Sequence, residues 1–282
     1  MGARSLDRRG RRQQAGNRLK IGGVQLGRIP RVVLAVSRDT AGLRHAIATG
    51  VDILELRVDQ LQPADSEELV TEVQSLRRYG LPIIGTVRCA REGGASDLSG
   101  ALRATLYAAL SPLVDAVDVE VKAAHSLTST LRLARQNGNL IILSYHDFSK
   151  TPSQGKLEAV AVKAVHLGAD VTKIAAHART QEDVLRLFRF TEEYRSRNVV
   201  TMAMGAIGSV SRLIFPLAGS LLTYTNVTPS HGQISLQRLI DDLRFYYPAY
   251  NEDLVRRLQL SRSTARDDPP ATALGRQGEG RS

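Results

Sequence analysis

The sequence predicts an α/β fold, an eight-stranded parallel (β/α)8 barrel of the TIM type, and three observations predict it. Eight short apolar runs rich in Val and Ile alternate with longer segments of helical periodicity. Gly or Asn commonly precedes the next run, as at Gly50, Gly80, Gly138 and Gly168, where a helix must end. Eight such units in about 220 residues suit a closed barrel, whose strands need cover on both faces and whose usual size is roughly 250 residues; a doubly wound open sheet is the competing arrangement.

Taken in order, residues 18–30 (RLKIGGVQLGRIP) read as a small hairpin centred on Gly22-Gly23, placed to plug the N-terminal mouth of the barrel. Strands are expected at 31–36 (RVVLAV), 53–58 (ILELRV), 82–88 (PIIGTVR), 116–121 (AVDVEV), 139–145 (NLIILSY), 170–176 (DVTKIAA), 198–204 (NVVTMAM) and 219–224 (GSLLTY). Amphipathic stretches such as Ser66 to Tyr79, Leu102 to Leu110, Leu157 to Leu167 and Gln181 to Tyr194 fill the gaps between them. Barrel and hairpin together take residues 18–248. Residues 1–17 are assigned to a disordered basic tail and 249–282 to a largely disordered C-terminal extension, since from about Arg262 onward Ser, Arg, Asp, Pro and Gly offer nothing to pack.

Hydrophobic residues at 43% and charged residues at 23% of 282 fit one domain around one large core. No apolar run approaches the ~18 residues of a membrane span, and the N-terminus lacks the apolar centre of a secretory signal, so a cytoplasmic protein without a membrane partner is expected. The formal charge of +10 resembles a nucleic-acid signal until it is placed along the chain: residues 1–20 hold seven Arg or Lys against one acid and supply +6 of it. A solvated arm accounts for that, and no specific nucleic acid is expected. Cys89, the only cysteine, is expected to be buried and inert.

Side chains two apart on a strand share a face, which permits a parity test. Glu55 and Arg57 share the face of Ile53, opposite Leu54, Leu56 and Val58; Arg88 has the parity of Ile84 and Thr86; Asp118 and Glu120 lie opposite Val117, Val119 and Val121. Lys173 stands between Val171 and Ala175, and His146 follows Ile142 and Ser144. Charge inside a protein costs several kcal/mol when unpaired, so these inward ions need a shared reason. Catalytic groups of this fold gather at the C-terminal ends of strands, where Glu55, Arg57, Arg88, His146 and Lys173 would meet; a polar ion-pair layer filling the barrel is the structural alternative, above all for Asp118 and Glu120.

A lysine flanked by Val171, Ile174 and Ala175, with further cations nearby, is expected to have its pKa pushed below the free value of about 10.4. A neutral amine beside a ketone forms an imine that acidifies the adjacent C–H, and His146 has the natural pKa range for the base. Without a ligand, Lys173 can equally snorkel and His146 cap a helix. Glu92, in the loop Arg91-Glu92-Gly93-Gly94, can hold the imidazole in one tautomer. Arg212 opens the helix after the seventh strand, a place suited to an anionic carboxylate, and Gln233 can hydrogen-bond the same anion. His231 is assigned no chemistry.

Read together, these residues resemble the type I 3-dehydroquinate dehydratases, the class I, Schiff-base-forming group, over about residues 30–240. The motifs that carry the resemblance are 52–59 (DILELRVD), 88–94 (RCAREGG), 146–152 (HDFSKTP), 173–175 (KIA), 201–204 (TMAM), 211–213 (SRL) and 232–235 (GQIS). The resemblance implies a hydro-lyase of the shikimate pathway that converts 3-dehydroquinate to 3-dehydroshikimate without metal or organic cofactor. It assigns the imine to Lys173, proton transfer to His146 and orientation of the imidazole to Glu92. Substrate hydroxyls and ring fall to Glu55, Arg57 and Arg88, the substrate carboxylate to Arg212 and Gln233, and the assembly is expected to be a homodimer. Two departures stand out. The last loop reads 229–233 (PSHGQ) where the family has Ser-x-Pro-Gly-Gln, so that Ser230 is the candidate for the covering serine, and Ala35 stands where many relatives carry serine.

Two other functions compete. A class I Schiff-base aldolase also uses a barrel lysine but favours a Gly-rich phosphate cradle after strands seven and eight, where this chain has Met202, Met204 and an arginine. An inactive barrel whose basic arm binds RNA would leave the inward residues unexplained.

Overall fold

The computed structural model describes residues 19–61, 66–226 and 234–264, with side chains to residue 260. A two-stranded antiparallel hairpin, β1 (Lys20–Ile21) and β2 (Val24–Gln25), comes first. The chain then alternates β3 (Arg31–Val36), α1 (Leu43–Thr49), β4 (Ile53–Arg57), the short α2 (Val58–Leu61), α3 (Ser66–Arg77), β5 (Ile83–Thr86), α4 (Gly100–Leu110) and β6 (Ala116–Glu120). It continues with α5 (Thr128–Gln136), β7 (Leu140–Asp147), α6 (Gln154–His166), β8 (Val171–His177), α7 (Gln181–Tyr194), β9 (Val199–Met204), α8 (Ser211–Ala218), β10 (Leu222–Asn226), α9 (Leu236–Tyr246) and α10 (Pro248–Thr264). The eight long strands form one sheet in the order β10-β3-β4-β5-β6-β7-β8-β9, with every neighbouring pair parallel. Leu221 N donates to Val199 O at 3.0 Å where β9 and β10 meet, nearly closing the expected (β/α)8 barrel.

The two faces of the strands separate as the period of two requires. Outward residues such as Leu34, Leu54, Val117, Leu143 and Ile174 are buried beneath the helices. Inward residues Val33, Ile53, Ile84, Ala116 and Val171 fill the N-terminal half of the interior, and Ile21 and Leu26 of the hairpin segment pack against them as the expected plug. Apolar packing therefore closes the base and leaves the C-terminal half of the interior to polar side chains.

The base also shows a repeated polar stitch. Asp52, Asp115 and Asp170 each sit one residue before a strand and accept a backbone N–H from the preceding strand: Val32 at 2.8 Å, Ile83 at 2.9 Å and Ile141 at 2.7 Å. Each aspartate's own N–H donates back to the carbonyl of the same residue. Ser220 repeats the pattern with Thr201 N at 3.0 Å. These side chains satisfy donors that would otherwise face the base unpaired.

Most strand ends shift by a residue or two, and the third barrel strand stops at Thr86, so that Arg88 follows it instead of lying within it. The last strand begins at Leu222 rather than 219, because Gly219, at φ 110°, ends α8 in a left-handed turn. The fifth barrel strand runs on to Asp147 and so includes His146. The C-terminal extension departs from expectation over 249–264, which are helical rather than disordered. Tyr250 and Leu254 are buried against Val32, Leu239, Ile240 and Leu243, with Leu258 beside them, an apolar stripe at spacing i, i+4, i+8. Asp253 pairs with Arg31 Nη1 at 2.8 Å and Arg257 Nη2 with Asp52 at 3.1 Å, tying this helix to the first two barrel strands. The basic tail at 1–17 and the residues after 264 lie outside the described residues.

Candidate active site

The C-terminal mouth opens into a cavity of about 440 Å³. Strand parity carries Glu55, Lys173 and His146 to its wall, Arg57 reaches it from the last position of β4, and Arg88 from two residues beyond β5. Glu92 arrives on a 3-10 turn, Ala90–Glu92, that ends at Gly93 with φ 87°. Gly93 is required by its left-handed φ, and a Cβ at Gly94 would collide with the carbonyl of Arg88, so close approach requires glycine there. Arg212, second residue of α8, completes the group. The structure thus brings seven of the nine candidates, Lys173, His146, Glu92, Glu55, Arg57, Arg88 and Arg212, around one space; Ser230 and Gln233 lie outside the described residues.

Beneath the cavity lies a charge-balanced layer. Lys173, 3% exposed, has Nζ at 2.9 Å from Asp118 Oδ2 and 3.2 Å from Glu55 Oε2, with the Tyr224 ring centroid at 4.1 Å. Its nearest charges are therefore carboxylates, where the sequence led us to expect cations. Arg88 bridges Asp118 at 3.0 Å and Glu120 at 3.2 Å and donates to Ser144 Oγ at 2.7 Å, while Arg103 pairs with the other oxygen of Glu120. Burial alone would raise the Asp118 carboxyl, but Arg88 and Lys173 hold it well below the usual carboxylate range. Three carboxylates, Glu55, Asp118 and Glu120, thus meet three cations, Lys173, Arg88 and Arg103. Asp118 and Glu120 lie beneath the cavity and position the others. Arg57 makes a two-pronged contact with Asp59, Nε at 2.9 Å and Nη2 at 2.8 Å, which aims it across the mouth towards Gly93 O at 3.1 Å.

His146 is strongly changed by this setting. Burial pulls its pKa well below the usual imidazole value, and Arg88 and Lys173 add to the effect, so the ring is neutral at pH 7. Glu92 Oε2 accepts the His146 backbone N–H at 2.8 Å and lies 3.3 Å from Nδ1. That contact assigns the proton to Nδ1 and leaves the Nε2 lone pair free for the cavity. Burial raises the Glu92 carboxyl, opposed by the His146 N–H and by Lys122.

Arg212 differs from every other cation of the site. Its Nη1 donates to Ala203 O at 2.6 Å and Ser211 Oγ at 2.9 Å, and among the described residues no carboxylate lies within ion-pair distance. Desolvation alone lowers its pKa to about 10. A half-buried guanidinium without an acid on the wall of a cavity is a binding site for an external anion.

Sequence reasoning passed over several wall residues. Tyr224 and Asn226 share the inward parity of Leu222; Tyr224 lies inside the expected strand but carries no charge to mark it, and Asn226 lies beyond the expected strand end. His177 closes β8 and rests its ring on Gly205, and Phe148 stacks 6.4 Å from His146. Cys89 is half-buried, not fully buried, and burial pushes its thiol up.

The family model described as Type I 3-dehydroquinase matches residues 31–249. A 3-dehydroquinate dehydratase of Methanocella arvoryzae is 38% identical over 76% of this chain and 96% of its own length. Among solved structures, the type I 3-dehydroquinate dehydratase of Clostridium difficile aligns with TM-score 0.75 and 27% identity, covering 83% of this chain and 98% of that one. The 3-dehydroquinate dehydratase of Geobacillus kaustophilus gives TM-score 0.73 and 29% identity over 82% and 98%.

Proposed function

This chain belongs to the type I 3-dehydroquinase family, and from that premise we propose that it is a hydro-lyase of the shikimate pathway that dehydrates 3-dehydroquinate to 3-dehydroshikimate through an imine on Lys173. The observation that carries the reading is the joint opening onto one cavity of the Lys173 amine, the neutral His146 and Arg212, which has no acid partner among the described residues. An amine, a base and an anion site are what a ketone-bearing carboxylate requires.

Arg212 takes the substrate carboxylate, with Gln233 and Ser230 assigned to the same end, and Glu55, Arg57 and Arg88 take ring hydroxyls. The lysine is ion-paired at rest, so its proton passes to a neighbouring base before Nζ attacks the C3 carbonyl. Water leaves the carbinolamine, and the protonated imine withdraws electrons from C2. His146 Nε2 removes the C2 proton; the electron pair expels the C1 hydroxyl, which takes that proton and departs as water. Hydrolysis of the imine then releases the enone and restores the amine. No other described amine lies beside Lys173, so nothing replaces it.

Product formation is followed by the ultraviolet absorbance of the conjugated enone. Borohydride added during turnover should attach substrate mass to the peptide carrying Lys173, and Lys173→Ala should abolish both signals. An unmodified peptide in an active enzyme overturns the imine. We further propose a cytoplasmic homodimer, which sedimentation velocity tests; among the described residues no helix is long and apolar enough to cross a membrane.

A further inference from the structure

We propose that Lys122 is a positioning residue for the base: its ammonium, held over the Tyr145 ring, keeps Glu92 ionised and so fixes the tautomer of His146. The inference rests on the reading of His146 as the base. Glu92 is a buried carboxylate with unequal oxygens. Oε2 accepts from His146, whereas Oε1 has no hydrogen-bond partner among the described residues and faces Lys122 Nζ at 3.5 Å. The ammonium stands 5.0 Å from the Tyr145 ring centroid, which holds the side chain back over the loop. Lys122 thus touches both neighbours of the imidazole, the residue before it in the chain and the carboxylate that faces it.

The charges around Glu92 explain why this contact matters. Glu120 from β6 opposes its ionisation, while the His146 N–H from β7, Lys122 after β6 and Arg88 after β5 favour it. Arg88 is committed to Asp118 and Glu120, and the His146 N–H serves only Oε2, which leaves Lys122 as the cation for Oε1. A protonated Glu92 no longer draws the Nδ1 proton, and the free lone pair need not face the cavity. Removing Lys122 therefore shifts the onset of activity to higher pH. The lysine side chain is 64% exposed and its field is screened, so the expected loss is modest, about three- to tenfold.

The test compares wild type, Lys122→Met, Lys122→Arg, Glu92→Gln and the double variant Lys122→Met/Glu92→Gln, with kcat and KM for 3-dehydroquinate measured across the acid limb. Lys122→Met should move that limb upward and lower kcat about three- to tenfold on it. KM should change by less than about twofold and the rate at higher pH should be retained. Lys122→Arg should restore the wild-type profile, and in the Glu92→Gln background Lys122→Met should add nothing. A Lys122→Met profile that superimposes on wild type overturns the proposal, as does a full effect in the absence of the Glu92 carboxylate. Failure of the underlying reading would appear separately, as a His146→Ala variant that turns over at the wild-type rate.

Discussion

Replacing Arg212 with Met separates binding from stability in a way few substitutions at this site do. The guanidinium uses Nη1 on Ala203 O and Ser211 Oγ, leaving its remaining N–H groups for a carboxylate. Two charge-assisted hydrogen bonds of about 1.5 kcal/mol each give roughly 3 kcal/mol, or on the order of 100- to 200-fold in kcat/KM. The carboxylate is remote from the bonds that change, so the loss should fall on KM, with kcat held within about threefold. Folding should show the opposite sign. Burying this cation without an acid costs stability, and Met of similar length removes that cost, so the melting temperature should be unchanged or higher. Steady-state rates of enone formation, thermal melts and a methyl ester of the substrate form the assay, since the ester should erase the difference between variant and wild type. A kcat/KM within about threefold of wild type, or a loss accompanied by a lower melting temperature, would refute the reasoning.

Two further expectations concern stability. Arg88 and Lys173 hold the Asp118 carboxyl below its unfolded value despite burial, so its contribution is present above about pH 4 and is lost as pH falls through the folded value; Asp118→Asn should flatten the acid side of a melting-temperature profile. Tyr250→Ala should cost about 3–5 kcal/mol in urea unfolding by emptying the contact between α10 and the barrel, while kcat of the folded fraction is unchanged because the residue lies far from the cavity. A loss below about 1 kcal/mol would mean that the helix is dispensable.

Much of the site could be read from the chain because a barrel strand offers only two faces. Once Leu54, Leu56 and Val58 are assigned to the helices, Glu55 and Arg57 have nowhere to point but inward, and the same logic places Arg88, Asp118, Glu120, His146 and Lys173. Parity does not say who meets whom. The stagger of neighbouring strands decides that Lys173 faces Asp118 and Glu55, and no single strand records that stagger. Tyr224 escaped notice because an uncharged aromatic on a barrel strand reads as core packing, although it stands two residues from Leu222 and shares its inward face. Helix α10 escaped because its polar composition masked the stripe of Tyr250, Leu254 and Leu258, which declares a helix only by its spacing.

The aspartate stitches at the base bear on how the barrel can be divided. They join β3 to β4, β5 to β6 and β7 to β8, and Ser220 joins β9 to β10, always within a pair and never between pairs. The chain is therefore four βαβ modules sewn edge to edge. A circular permutant or split protein opened between β6 and β7 keeps every stitch inside one fragment, whereas an opening between β5 and β6 leaves Asp115 and Ile83 to find each other across a chain break.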